Sequence, residues 1–123
     1  MNFLAHSHLS GNNPDIMFGN FIADSVKGSE FNNFPTYIKK GIQLHRKIDV
    51  FTDRHEIVRE SIRLIRPVYG KFSGIIIDIY YDHFLALNWN NYHHQDLSQF
   101  SRHVYITLGK RFKYLPIRNK RML

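Results

Sequence analysis

Residues Pro35 to Phe51 read Pro-Thr-Tyr-Ile-Lys-Lys-Gly-Ile-Gln-Leu-His-Arg-Lys-Ile-Asp-Val-Phe. Ile38, Gly41, Ile42, His45, Ile48 and Phe51 recur at three- and four-residue intervals, the spacing of one helical face. Pro35 suits a helix start. The apolar face carries a histidine, and Asp49 and Asp53 follow it at four-residue steps, so His45, Asp49 and Asp53 stack along one side of the helix. A helix that places an imidazole and carboxylates beside Leu44, Ile48 and Phe51 sets both the fold class and the chemistry to look for.

The punctuation on either side is helical too. Asn13-Pro14-Asp15 supplies an N-cap, a proline at the first helical position and an acid that favours the helix dipole. That helix is expected to run to Lys27 and stop at Gly28. An amphipathic piece spans Glu56 to Arg66, with a break from Pro67 to Gly70. Ser73 to Trp89 is helical by length, and much of Ile75 to Leu85 is apolar enough to expect burial. A last helix starts near Asp96, puts Leu97, Phe100, Val104 and Leu108 on one stripe, and ends at Pro116. No run alternates with period two between hairpin turns. The expected class is all-α, a bundle of about six helices. Gly19, Gly41 and Gly74 look like close-packing or helix-start positions.

Composition sets the remaining bounds. With 123 residues, 43% hydrophobic and 22% charged, the chain has the size and make-up of one domain spanning residues 1–123. There is no cysteine, which excludes disulfides, thiolate metal sites and thiol nucleophiles. The net charge of +7 comes entirely from the last 27 residues: Arg102, Lys110, Arg111, Lys113, Arg118, Lys120 and Arg121, with no acid among them. Such a basic end suits an acidic partner. No secretory signal opens the chain. The most apolar stretch, Gly74 to Trp89, carries Asp78, Asp82 and His83, so it does not span a bilayer cheaply. The chain is expected to be cytoplasmic, with neither a membrane nor a nucleic acid as partner. There is no phosphate-cradling glycine loop, Gly-x-Ser-x-Gly elbow or dinucleotide fingerprint.

Chemistry-bearing side chains lie inside apolar surroundings: Asp24, Asp49, Asp53, Asp78 and Asp82, with His6, His8, His45, His55 and His83. Asp78 and Asp82 are four apart, and His83 adjoins Asp82. A single such residue is ordinarily a cap or a satisfied core group, and His93, His94 and His103 read as surface. A set of this size, with few Lys or Arg on the same faces, calls for a cation, because unpaired buried carboxylates cost several kcal/mol each. Histidine and aspartate without cysteine suit hard or borderline ions such as Mn²⁺, Mg²⁺ or Fe²⁺ better than structural zinc. The usual chemistry of such centres is phosphate-ester hydrolysis.

Motifs in order then carry a resemblance. Met1-Asn2-Phe3-Leu4-Ala5-His6-Ser7-His8-Leu9 opens the chain. Gly19-Asn20-Phe21-Ile22-Ala23-Asp24 with Lys27-Gly28 comes next. Gly41 to Asp49 follows, running into Phe51-Thr52-Asp53 and His55. Gly74-Ile75 to Asp78 leads to Tyr81-Asp82-His83-Phe84-Leu85-Ala86 and Trp89. Together they resemble the bacterial acyl-carrier-protein phosphodiesterases from Met1 to about Phe100. The resemblance implies an HD-domain-like helical fold and manganese dependence. It also implies hydrolysis of the phosphodiester that joins 4′-phosphopantetheine to the serine of holo acyl carrier protein, giving the apo carrier. The Asp82-His83 order inverts the usual His-Asp pair of HD enzymes.

On this reading His6, Asp24, Asp82 and His83 lead as metal ligands. His45, Asp49, Asp53, His55 and Asp78 are further ligands or partners that orient them. His45, His55 and Asp53 are candidates for proton transfer, with one of the two histidines protonating the leaving alkoxide. Lys27 and Arg46 are placed to hold the phosphate, and Arg102, Lys110, Arg111 and Lys113 to dock the acidic carrier. Two other readings compete: an HD-like metal-dependent nucleotide phosphohydrolase, and an inactive relative that binds an acidic partner. Family members run on past the point that reads Lys120-Arg121-Met122-Leu123. The expectation is therefore that closing helices are lacking, that apolar residues near Phe3, Leu4, Phe84 and Trp89 lie uncovered, and that the chain is a homo-dimer through them, aggregation-prone, or a monomer of low stability.

Overall fold

The computed structural model describes residues 2–116, so Arg118, Lys120 and Arg121 of the basic end lie outside the described residues. The described residues form six α-helices: α1 Phe3–Leu9, α2 Pro14–Ile22, α3 Thr36–Arg54, α4 Glu56–Tyr69, α5 Ser73–Leu87 and α6 Leu97–Lys110. Short 3-10 turns lie between and after them, and no strand occurs among the described residues. The all-α bundle expected from periodicity is present.

Local chemistry explains most helix starts. The Asn13 side chain accepts the N–H groups of Asp15 and Ile16, with Pro14 in the first turn. Asp96 accepts Gln99 N–H at 2.8 Å and opens α6, as an N-cap does. His55 Nδ1 accepts Ile57 N–H and opens α4.

Helix ends depart from the sequence reading in three places. α2 stops at Ile22 rather than Lys27, and Ala23–Ser25 tightens into a 3-10 turn. The cause is Arg46, whose guanidinium takes the carbonyls of Val26 and Gly28 and draws that backbone away from the helix axis. Pro67 does not break α4, which continues to Tyr69. Gly70 at φ +56° stops it, with its N–H on Arg66 O; a left-handed position of this kind favours glycine. α6 ends at Lys110, ahead of Pro116.

The tightest packing joins α2 to α3. A Cβ added to Gly19 would overlap the carbonyl oxygen of Ile38, and one on Gly41 would overlap that of Ile16. The two helices thus meet backbone to backbone. Around that crossing Phe18, Ile22, Ala23, Val26, Ile38, Ile42, Leu108 and Leu115 form one buried cluster. Met17, Trp89 and Phe100 form a second. α1 and α6 pack on α2, and α5 packs on α1 and α4.

The outer helices are much less covered. Only Ser73 and Ile77 of α5 are buried, which corrects the expectation that most of Ile75 to Leu85 is interior: one side of α5 meets α1 and α4, and Ile75, Ile79, Tyr80 and Phe84 face outward. Phe3 and Phe84 are exposed, as expected. Trp89 is not, at 3% exposure, because it packs on Phe100 and its indole N–H reaches Gln95 O at 2.8 Å.

The crossing yields a stability prediction. Gly41→Ala lowers the unfolding free energy by about 2 kcal/mol or more, the scale of overpacking a rigid contact. Gly74→Ala, in open space inside a helix, raises it by about 0.5–1 kcal/mol. Denaturant titration of both variants checks the pair; a neutral Gly41→Ala would contradict the contact.

Candidate metal centre

Three segments bring their polar side chains to one place beside the glycine crossing. α1 enters first. Its free N–H groups at Leu4 and Ala5 each donate to an Asp82 carboxylate oxygen at 3.0 Å, so α5 caps a helix 77 residues earlier. Carboxylate caps favour the positive end of a helix. This fixes the turn that holds His6, whose ring stacks on that of His45 with centroids 3.9 Å apart and planes 16° from parallel.

Asn20 of α2 locks the arrangement. It is 1% exposed. Its amide nitrogen donates to His6 O at 3.1 Å and Ser10 Oγ at 2.9 Å, which leaves its oxygen to accept from His45 Nδ1 at 3.0 Å. The Nδ1 position of His45 therefore carries a proton. Its other nitrogen, Nε2, faces two carboxylates: Asp24 Oδ1 at 3.1 Å and Asp49 Oδ2 at 3.2 Å. Asp49 Oδ1 meets His6 Nε2 at 2.9 Å.

A neutral His45 with hydrogen on Nδ1 would aim a lone pair at two acceptor oxygens. Two solutions exist. The ring takes a second proton, or a cation lies between the nitrogen and the carboxylates. Without a metal the first holds. Burial lowers the His45 pKa, but the hydrogen bonds and charges of Asp24 and Asp49 outweigh it and raise the value to about 9. The His45 hydrogen bond also lowers the Asp24 pKa. Burial would raise Asp49, yet its bonds to His45 and His6 hold it well below the usual carboxylate range. One ligand atom each from His6, His45 and Asp49 lies within 4.8 Å of the others, a spacing that a metal ion can bridge. The donor set of two imidazoles and a carboxylate fits a divalent cation.

The remaining predicted residues distribute around this centre. Asp24 is 75% exposed in its side chain and forms the open rim. Asp78 of α5 is half-buried; burial raises its pKa, and repulsion from Asp49 and Asp53 adds to that, which sets the three carboxylates in electrostatic reach of one another. Asp53 itself is exposed on α3. Asp82 has both oxygens on the α1 backbone, and His83 is exposed beside Phe84. Arg46 is held by Val26 O and Gly28 O and lies over the Phe31 ring at 5.0 Å. Lys27 is exposed, and His55 caps α4. Arg102, Lys110 and Lys113 are exposed on or after α6, while Arg111 is spent on Asp15 Oδ1 at 2.6 Å. The residue the sequence reading left without a role is Asn20. Its signal was available: an amide among Met17, Phe18, Phe21 and Ile22, on the helix that leads to Asp24.

Two outcomes follow. In chelator, the folded-state pKa of His45 near 9 exceeds its unfolded value of 6.5. Its contribution to stability is thus complete below about pH 6.5 and lost as pH climbs through 9. The melting temperature drops over that window by on the order of 5 °C, and His45→Gln flattens the drop. A metal-free wild-type melting temperature that is level from pH 6.5 to 9 would refute the assignment. Separately, Asp82→Ala destabilises the metal-free protein by about 2–3 kcal/mol, the scale of two hydrogen bonds to a charged acceptor. Removing a carboxylate that serves only as a ligand would instead relieve repulsion, so chelator-treated denaturation curves distinguish the two.

The family model described as acyl carrier protein phosphodiesterase matches residues 1–123. Curated relatives of that name include one from Photorhabdus laumondii, 36% identical over 89% of this chain and 60% of its own length. Those from Yersinia pestis and an Enterobacter species are 40% identical over 73% and 72% of this chain, and 47% and 46% of theirs. The chain thus spans about half the length of these relatives. No solved structure matches it. Among the described residues no helix is long and apolar enough to cross a membrane. With a match from its first residue to its last, the chain belongs to the acyl carrier protein phosphodiesterase family.

Proposed function

We propose that the chain hydrolyses the phosphodiester between 4′-phosphopantetheine and the serine of holo acyl carrier protein, with Mn²⁺ as its ion and Mg²⁺ or Fe²⁺ as substitutes. The whole-length family match carries the choice of substrate. The convergence of His6, His45 and Asp49 supports the choice of chemistry.

In this reading His6, His45 and Asp49 hold the ion and Asp24 completes the set from the rim. A bound divalent ion lowers the pKa of a coordinated water and draws the phosphoryl oxygens toward it. The protein's own residues supply the rest. Asn20 fixes the His45 tautomer, so Nε2 is the atom that turns to the ion. Asp82 holds α1 and with it His6. Asp24, more exposed than Asp49, is placed to take the proton from the attacking water. Water adds to phosphorus as the bond to the serine oxygen breaks. That oxygen takes up a proton, so the products are the carrier's free serine hydroxyl and phosphopantetheine. Arg46 acts here by holding the 23–28 turn that carries Asp24, and Lys27 on that turn is the cation left to meet the phosphate. Arg102, Lys110 and Lys113 attract the acidic carrier. Self-association belongs to the same reading, through the open apolar faces of α4 and α5.

The test is mass spectrometry of holo carrier incubated with the chain. Mn²⁺ restores arm release to chelated protein, and Asp49→Ala lowers the rate by at least about 100-fold, the range for loss of a group that holds a catalytic ion. An untouched carrier beside a hydrolysed nucleotide would establish the nucleotide phosphohydrolase. An untouched carrier that still binds would establish the inactive relative.

A further inference from the structure

A cavity of about 270 Å³ opens between α1, α2 and α6, outside the residues assigned so far. Phe3, Leu4, Phe21 and Val104 give it apolar walls, and Ser7, Ser101 and Tyr105 set hydroxyls among them. We infer that it is the seat of the uncharged part of the phosphopantetheine arm during hydrolysis, an assignment that rests on the reading above.

Position is the first argument. Ser7 follows His6 on α1. Phe3 stacks on Phe21 with ring centroids 5.1 Å apart, and Phe21 lies one residue short of a helical turn before Asp24. Phe21 also follows Asn20 directly, so on both α1 and α2 a residue of the cavity neighbours one of the centre along the chain. A substrate with its phosphate at Asp24 and His45 lays its next atoms along these rings.

Chemistry is the second. None of the nine lining residues is charged, so the cavity takes the neutral portion of a ligand whose charge stays at the centre. Apolar walls with a few hydroxyls suit a slender chain in which methyl and methylene groups alternate with amides, since each buried amide needs a partner. Size is the third. Pockets for drug-sized ligands run from about 300 to 1,000 Å³, and this one lies just below that range. The wider groove lined by Lys47, Val50, Phe51, Arg54 and Glu56 carries charges of both signs and lacks this neutrality.

The experiment compares free 4′-phosphopantetheine with inorganic phosphate by calorimetry on the full chain with excess Mn²⁺, beside steady-state kinetics on holo carrier. Phosphopantetheine binds at least tenfold tighter than phosphate. Ser101→Phe, which fills the cavity from α6, removes that surplus and raises KM about tenfold while kcat changes less than twofold. Retention of the Mn²⁺-induced gain in melting temperature shows that the variant is folded. If the gain is lost, Tyr105→Ala on the exposed rim takes its place, with an expected threefold rise in KM. Wild-type KM and phosphopantetheine affinity in a folded Ser101→Phe protein overturn the cavity assignment and leave the hydrolase standing. An intact holo carrier together with Ser101-dependent binding of phosphopantetheine removes the hydrolase and keeps the cavity.

Discussion

Gly19 and Gly41 lie where α2 and α3 press backbone on backbone, and any side chain there would overlap a carbonyl of the facing helix. The metal centre depends on that distance. Asn20 follows Gly19 directly, and His45 lies four residues, one turn, beyond Gly41. Because the helices touch, a short amide suffices to reach from α2 to the ring on α3, and the bond is 3.0 Å. Had the crossing been set by larger residues, at the usual interaxial distance of about 8–10 Å, Asn20 would not span it. The glycines cost helix propensity, and the contact they permit offsets that by making room for a polar bridge inside the apolar cluster of Phe18, Ile22, Ile38 and Ile42.

From that bridge the electrostatics follow. One nitrogen of His45 is committed to Asn20, so the other has no freedom to exchange roles. It points at Asp24 and Asp49 whatever occupies the space between. A protein that needed only a stable core would gain by replacing such a group with an apolar one. Keeping a buried imidazole against two carboxylates, with Asp53 and Asp78 in electrostatic reach, makes sense for a site that receives a cation. The uneven core fits this division. Burial concentrates on α1, α2 and one face of α3, which hold the centre, while α4 and α5 leave Leu64, Val68, Ile75 and Leu87 largely open.

Features set by neighbouring residues were legible in the sequence. Asn13-Pro14-Asp15 opened α2, the Ile38–Phe51 stripe made α3, and the four-residue steps put His45 and Asp49 on one face. Features set by distant partners were not. α2 ends early because Arg46, about twenty residues on, takes the carbonyls of Val26 and Gly28. Asp82 looked like a ligand because it is an acid in an apolar helix, yet its partners are backbone N–H groups of α1 nearly eighty residues away. The same reasoning that saw Asp78 and Asp82 stacked on α5 had no means to tell a cap from a ligand. Trp89 seemed uncovered because Phe100 and Gln95, which enclose it, lie beyond a non-helical connection. His45 read equally as a further ligand and as a proton donor to the leaving alkoxide; only the third dimension, which puts His6 and Asp49 against it, places it in the donor set.

The charges of the centre also order the events of the proposed reaction. A phosphodiester is an anion, and it must approach Asp24, Asp49, Asp53 and Asp78. Two unit charges about 4 Å apart repel by roughly 4 kcal/mol at an effective dielectric constant near 20. Protonated His45 lies against two of these carboxylates, Asp24 and Asp49, while Arg46 is held by two carbonyls, Arg111 by Asp15, and Lys27 is exposed to solvent that screens it. Such a concentration of carboxylates opposes the approach of the proposed anionic substrate. A divalent ion held by His6, His45 and Asp49 would supply two positive charges there, and His45, its Nδ1 bonded to Asn20, would give up its Nε2 proton to hold it. In the proposed reaction ion and substrate would thus be linked ligands, each binding more tightly when the other is present. The cavity proposed for the arm is lined by no charged residue, so it would add no charge to this linkage.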